Sequence, residues 1–161
     1  MHIDFSKPIE ELEQAIEDSE DAPAWFALML GCVKAGKAEA ADGWYREMYD
    51  CDMMLNFTEE QALMANTIHD VISNLEEIQA TKAALEKKPD DIELLFKLGL
   101  SCCGFNDTWN TNDRWLYLEL GWLDEAEHIF STILQREPAN ENARHNLEGI
   151  RKEKRQIKNS D

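Results

Sequence analysis

Apolar residues recur along this chain at the three-and-four spacing of a helix, and no stretch alternates with the period of two that a half-buried strand requires. Ile9, Leu12 and Ile16 form an amphipathic stripe after Ser6-Lys7-Pro8. Trp25, Leu28 and Cys32 form a second, with Gly36 at the following turn and Ala41, Tyr45 and Met48 beyond it. Met64, Ala65 and Ile68 make a third, Leu95, Leu98, Gly99 and Cys102 a fourth, and Ala126, Phe130 and Ile133 a fifth. Leu147 and Ile150 open a last helix that turns basic and polar, as a solvent-facing cap would. Helices throughout are therefore predicted, with Gly and Pro marking the boundaries.

Two of those boundaries share a form. Pro89 and Pro138 each follow a helix, ending in Lys or in Arg-Glu, and each precedes a short polar link (Asp90-Asp91; Ala139-Asn140) and a new helix. Counting back from Pro89 by the period of about 34 residues expected of helix-pair repeats starts a unit at Thr58, a good N-cap for Glu59-Glu60-Gln61. An earlier unit starts near Ala22. The segment Gly121-x-x-x-x-Ala126-x-x-x-Phe130-x-x-Ile133-x-x-x-x-Pro138, with Leu98-Gly99 before it and Trp25-x-x-Leu28 earlier, resembles the tetratricopeptide repeat family, whose signature is Trp-x-x-Leu-Gly-x-x-Tyr, Ala-x-x-x-Phe-x-x-Ala, then Pro. Met29 stands where the signature has glycine, and Glu77 and Thr81 where it has alanine and an aromatic.

The resemblance covers roughly residues 22–150. It implies an all-α, right-handed superhelix of about three helix pairs in a single domain. The expected organisation is an N-terminal helix over 6–20, repeat units over 22–55, 58–91 and 92–140, and a C-terminal capping helix over 141–158. The last unit departs from the period, since Cys102 and Gly121 stand nineteen positions apart where about four are regular. The extra residues near 104–120 are either an insertion or a fresh repeat helix, read as a loop over Gly104–Asn112 and a helix over Asp113–Leu120. The N-terminal helix is expected to cap the first unit; exchange onto a second copy, giving a homodimer, is the alternative.

Charge narrows the functions. The 161 residues carry 33 acids against 16 Lys and Arg, a formal net charge of −17, which disfavours nucleic acid and anionic membranes as partners. Six of those 16 bases lie in 144–161 (Arg144, Arg151, Lys152, Lys154, Arg155 and Lys158). There the interleaved Glu148 and Glu153 suit a solvated helix end whose cations complement the helix dipole. The longest apolar run, Ala22 to Val33, is broken by Pro23 and too short to cross a bilayer, and the start of the chain does not resemble a secretory signal. The four cysteines (Cys32, Cys51, Cys102, Cys103) have no disulfide-framework or zinc-type spacing, so a reducing cytoplasm is expected.

Candidate chemistry is sparse. His69-Asp70 is the one adjacent pair of general-base type, but neighbours in a helix point apart. His128 and His145 lack metal-ligand spacing. Asn106, Asp107, Asn110, Asn112 and Asp113 miss the calcium-loop pattern and read as turn and cap formers. Cys102 falls on the apolar stripe and reads as core. Cys103 faces elsewhere, so a metal- or redox-active protein using Cys103 and the 104–113 loop is the rival reading. No enzyme activity, metal or cofactor is expected.

A binding module is expected instead. The resemblance places the inner wall of the superhelix on Phe26, Leu30, Val33 and Lys34 of the first unit, on Glu93, Phe96, Leu100 and Cys103 of the third, and on Asn142 and His145 of the last helix. Trp109 and Trp115, in and beside the inserted loop, are further candidate anchors, since exposed aromatics contribute strongly to binding. An apolar groove rimmed by acids would take a protein or peptide with basic flanks. An adaptor or small chaperone is the function implied, and in length, acidity and repeat count the chain is similar to the small tetratricopeptide chaperones of bacterial type III secretion.

Overall fold

The structure, a computed structural model, describes residues 1–17, 19–104 and 114–160, and among them every regular element is helical. The α-helices are α1 (Ile9–Ile16), α2 (Ala22–Lys34), α3 (Ala38–Asp50), α4 (Glu59–Lys87), α5 (Ile92–Cys103), α6 (Arg114–Glu119), α7 (Trp122–Arg136) and α8 (Glu141–Lys158). A short 3-10 turn, Met53–Asn56, follows α3. The chain forms two compact units, Met1–Glu76 and Glu77–Asp161, and the boundary falls inside α4.

In the first unit α2 is the central element. Pro23 sits in its first turn, where a missing N–H costs no helical bond, and ten of its residues from Ala22 to Val33 are buried. A helix apolar on every side must be surrounded. Accordingly α1 covers one side with Leu12 and Ile16, and α3 another with Ala41 and Met48. Gly31 lets α1 come close, because a Cβ there would lie 2.8 Å from Leu12 Cδ1. The N-terminal helix α1 packs against α2. Trp25 and Trp44 meet edge to face at 6.1 Å, and the Trp25 indole N–H donates to the Ser19 carbonyl at 3.0 Å. Thr58 opens α4 by reciprocal capping: its N–H donates to Gln61 Oε1 at 2.9 Å, and Gln61 N–H donates to Thr58 Oγ1 at 3.2 Å.

α4 corrects the repeat reading. The 58–91 segment was expected to turn back as a helix pair, yet it is one helix of 29 residues. The physical reason is plain: no Gly or Pro lies between Glu59 and Lys88, so nothing interrupts the backbone ladder. Met64, Ile68, Val71, Ile72 and Leu75 carry its buried stripe in the first unit.

The second unit is built on a hairpin of α5 and α7, with α8 against α7 and α6 against both α7 and α8. Asp91 caps α5 by accepting the Leu94 N–H at 3.1 Å, and Asn140 caps α8 by accepting the Ala143 N–H at 3.0 Å. Gly99 permits the closest approach within the hairpin: a Cβ there would stand 2.7 Å from Cζ of the fully buried Phe130. Leu123, Ala126, Phe130 and Ile133 form the buried face of α7, and Ala143, Leu147 and Ile150 that of α8. Glu127 on α7 receives Arg151 at 2.9 Å and Lys154 at 2.6 Å from α8, and Lys154 also pairs with Asp124. Arg114 at the start of α6 pairs with Glu153 and donates to the Cys103 carbonyl at 3.2 Å, tying α6 to α8 and to the end of α5. α6 falls within the helix predicted for Asp113–Leu120; the preceding loop lies outside the described residues.

Candidate functional site

Within the second unit, the C-terminal half of α4 and α5 form the walls of an open groove of about 860 Å³. Side-chain size makes it. α4 contributes Ala80, Ala83 and Ala84, whose i, i+3 and i+4 spacing sets three methyl groups on one face where larger residues would fill the space. α5 contributes Leu94, Phe96 and Leu100, all half-buried, so apolar surface stays open. Phe96 meets Phe130 edge to face, with centroids 5.4 Å apart, which steadies the ring without covering it. A hollow of about 360 Å³, lined by Ile92, Glu93, Phe96, Asn140 and Asn142, shares Glu93 and Phe96 with the groove.

The rim is charged. Lys87, Lys88 and Lys97 line the groove against Asp91 and Glu93. Lys97 is paired with Glu77 at 3.1 Å, and Asp91 is occupied as the cap of α5. Lys87 and Lys88, in and just past the last turn of α4, form no ion pair among the described residues and complement the negative end of that helix. The rim of this groove thus mixes Asp91 and Glu93 with the three lysines. Acids dominate a separate hollow in the first unit, of about 360 Å³, where Glu20, Asp21 and Asp52 accompany Ala22, Phe57 and a Leu55 that is 80% exposed.

The candidate residues are placed unequally. Glu93, Phe96 and Leu100 line the groove, and Asn142 lines the adjoining hollow. Phe26 and Leu30 have no exposed surface, and Val33 has almost none. Phe26 packs edge to face on Phe57 at 5.7 Å, so the inner wall proposed for the first unit is filled by the chain itself. Lys34 is exposed, its ammonium 5.5 Å above the Phe5 ring. Cys103 is wholly buried, its thiol 3.4 Å from the Leu100 carbonyl oxygen, and is neither a groove residue nor an accessible thiol. Its expected outward position fails because α6 returns across the end of α5, with Arg114 bonded to the Cys103 carbonyl. His145 is exposed on α8 and lines neither hollow, Trp115 is half-buried on α6, and Trp109 lies outside the described residues.

Reactive chemistry finds little geometry. His69 and Asp70 are both exposed, 4.0 Å apart, with His69 against the Tyr45 ring at 4.9 Å. Burial pushes the Cys102 thiol up to about 12, far from a thiolate at neutral pH. No cluster of three or more His, Cys, Asp or Glu suited to a metal ion occurs among the described residues. No described helix is long and apolar enough to cross a membrane. Comparison of the chain with protein-family models, with curated proteins and with solved structures returned no match.

The alanines of α4 and the lysines beside them are the groove residues that the repeat register missed. Counting 58–91 as a helix pair put Ala84 on a packed second helix. The signal was present in the unbroken run from Glu59 to Lys88 and in the alanine spacing at 80, 83 and 84.

Proposed function

We propose that this chain is a non-enzymatic protein-interaction module, tetratricopeptide-like in its repeats and superhelix, whose α4–α5 groove receives a segment of another polypeptide. It would act as an adaptor or small chaperone in the cytoplasm. The observation that carries the reading is the apolar groove itself: Leu94, Phe96 and Leu100 stay half-exposed opposite three alanines. A soluble chain gains by covering such surface, and open apolar grooves of this size are ordinary docking places for peptides and helices. The α2–α3 and α5–α7 hairpins, with Gly99 under Phe130, support the family resemblance; the unbroken α4 departs from it. Four unbonded cysteines, three of them buried, suit a reducing compartment.

A photocrosslinking amino acid at position 96 tests the reading in the full chain. A discrete adduct with one cellular protein is expected from position 96, and none from the same group at exposed Lys34. Equal, non-selective labelling from both positions would remove the proposal.

A further inference from the structure

Independently of the α4–α5 groove, we infer that the first unit carries a second docking surface whose occupant is a basic polypeptide segment with a large apolar side chain. The surface is the hollow formed by the starts of α2 and α4 and the turn after α3. The turn Met53–Asn56 explains why apolar surface is left there. Phe57 takes the inward position, edge to face with the buried Phe26 at 5.7 Å, so the core is served without Leu55. Leu55 stays 80% exposed and lines the hollow beside Met53 and Phe57. Tyr49 and Leu63, just outside the lining in sequence, are exposed too. Apart from Met1, the large apolar side chains that the described residues leave in solvent are thus gathered in the 49–63 stretch. Scattered exposed apolar residues need no explanation, whereas grouped ones rimmed by polar residues mark interaction sites.

Charge selects the occupant. Glu20, Asp21 and Asp52 line the hollow, and no Lys, Arg or His lines it with them. None of the three forms an ion pair among the described residues, and Asp21, although at the N-cap of α2, makes no side-chain cap bond. The starts of α2 and α4 contribute roughly half a positive charge each and the end of α3 roughly half a negative one, which offsets little of three carboxylates. The surrounding unit has the same sign, with 17 acids against 4 Lys or Arg, so the local and long-range fields agree. These acids do not converge on a point: no cluster of three or more His, Cys, Asp or Glu suited to a metal ion occurs among the described residues. A single metal ion is therefore a poor fit. Several cations spread along a chain, beside an apolar side chain that meets Leu55, are a good one.

The test uses the full chain and Cys51, an exposed thiol in the lining, since Cys32, Cys102 and Cys103 are buried. The rate of Cys51 alkylation reads occupancy of this hollow, and fluorescence anisotropy reads affinity. Three synthetic peptides are compared: Lys residues around a Leu pair, the same with Gln for Lys, and the same with Ser for Leu. The Lys–Leu peptide should bind tightest and protect Cys51. Gln for Lys should weaken binding roughly 3- to 100-fold, as for three exposed ion pairs, and Ser for Leu about 5-fold or more. The variant E20Q/D21N/D52N should remove the preference for Lys, and Leu55→Ser the preference for Leu. Asn keeps N-cap chemistry at position 21 and tolerates the left-handed backbone at position 52, where φ is 57°, so the helical circular dichroism of the parent should persist. The variant E10Q/E11Q/E39Q removes the same charge outside the hollow and should leave both preferences in place. Equal binding of the three peptides, binding without protection of Cys51, no binding at all, or an equal loss in E10Q/E11Q/E39Q each overturns the inference. None of these results touches the crosslink from position 96, so the groove reading stands or falls separately.

Discussion

Two glycines separate close packing from close packing that can yield. A methyl group on Gly31 would meet the free end of the Leu12 side chain at 2.8 Å, whereas one on Gly99 would meet three atoms of the Phe130 ring between 2.7 and 3.2 Å. Leu12 can change rotamer; the ring is wholly buried and cannot withdraw. Alanine improves helix propensity over glycine by about 1 kcal/mol, but overpacking a core costs about 1–3 kcal/mol, so the clash should win at Gly99. Gly99→Ala is expected to lower stability in urea melts by about 1–2 kcal/mol and Gly31→Ala by clearly less. Phe130→Leu should relieve the first substitution in a double-mutant cycle, and strictly additive losses would refute the steric explanation. The same scale separates the two phenylalanines placed on one inner wall by the family pattern. Phe96→Glu puts charge on a half-exposed site and should leave the helical circular dichroism intact. Phe26→Glu buries a charge where no surface is exposed and should unfold the first unit, at a cost of at least about 3–5 kcal/mol.

At the scale of elements, α8 is held by its apolar stripe and by a charge clasp whose strength depends on pH. Hydrogen bonds from Lys154 and then Arg151 hold the Glu127 carboxyl below its ordinary value. A depressed acid contributes stability above its unfolded value near 4.5, and that contribution fades as pH falls through the lower folded value. Lys154 is raised by Asp124 and Glu127, so its share persists below the unfolded value near 10.5 and fades as pH rises through the folded one. Glu153 acts in the opposite sense to Glu127: burial raises it despite Arg114, so its contribution is present at low pH and lost as pH climbs. Glu127→Gln should therefore cost about 0.2–1 kcal/mol at neutral pH and less below pH 4, read as urea midpoints across pH. An identical cost at both pH values would show that the clasp contributes only shape. Elements were also where the sequence was most and least legible. Thr58, Asp91 and Asn140 announce helix starts by local hydrogen bonding, and each caps as its chemistry suggests. The all-helical class follows from periodicity, whereas the expectation that Phe96 and Leu100 share a wall comes from the family resemblance alone. Where α4 ends follows from neither, because a fixed repeat length was imposed on a segment lacking any breaker residue. The burial of Phe26 was hidden for a different reason: α2 is apolar all round, so periodicity alone cannot say which face stays open.

For the whole molecule the governing quantity is uneven charge. Unit Met1–Glu76 holds 17 acids and 4 Lys or Arg, a net of 4 − 17 = −13, while Glu77–Asp161 holds 16 acids and 12 Lys or Arg, a net of 12 − 16 = −4. The two sum to the −17 of the chain. Self-repulsion destabilises a compact state in proportion to the like charge packed into it, and added salt relieves it. Raising ionic strength from about 0.01 to 0.1 M shortens the screening length from roughly 30 to 10 Å, a change on the scale of one such unit. The same salt weakens the ion pairs that hold Glu127, Arg151 and Lys154 together in the second unit. The two units should therefore respond in different measure. Amide hydrogen exchange, followed peptide by peptide at fixed pH, should show protection in α2 and α3 rising with salt, and protection in α8 rising less or falling. A uniform rise along the chain would instead point to general salting-out of apolar surface, which acts without regard to where the charges lie.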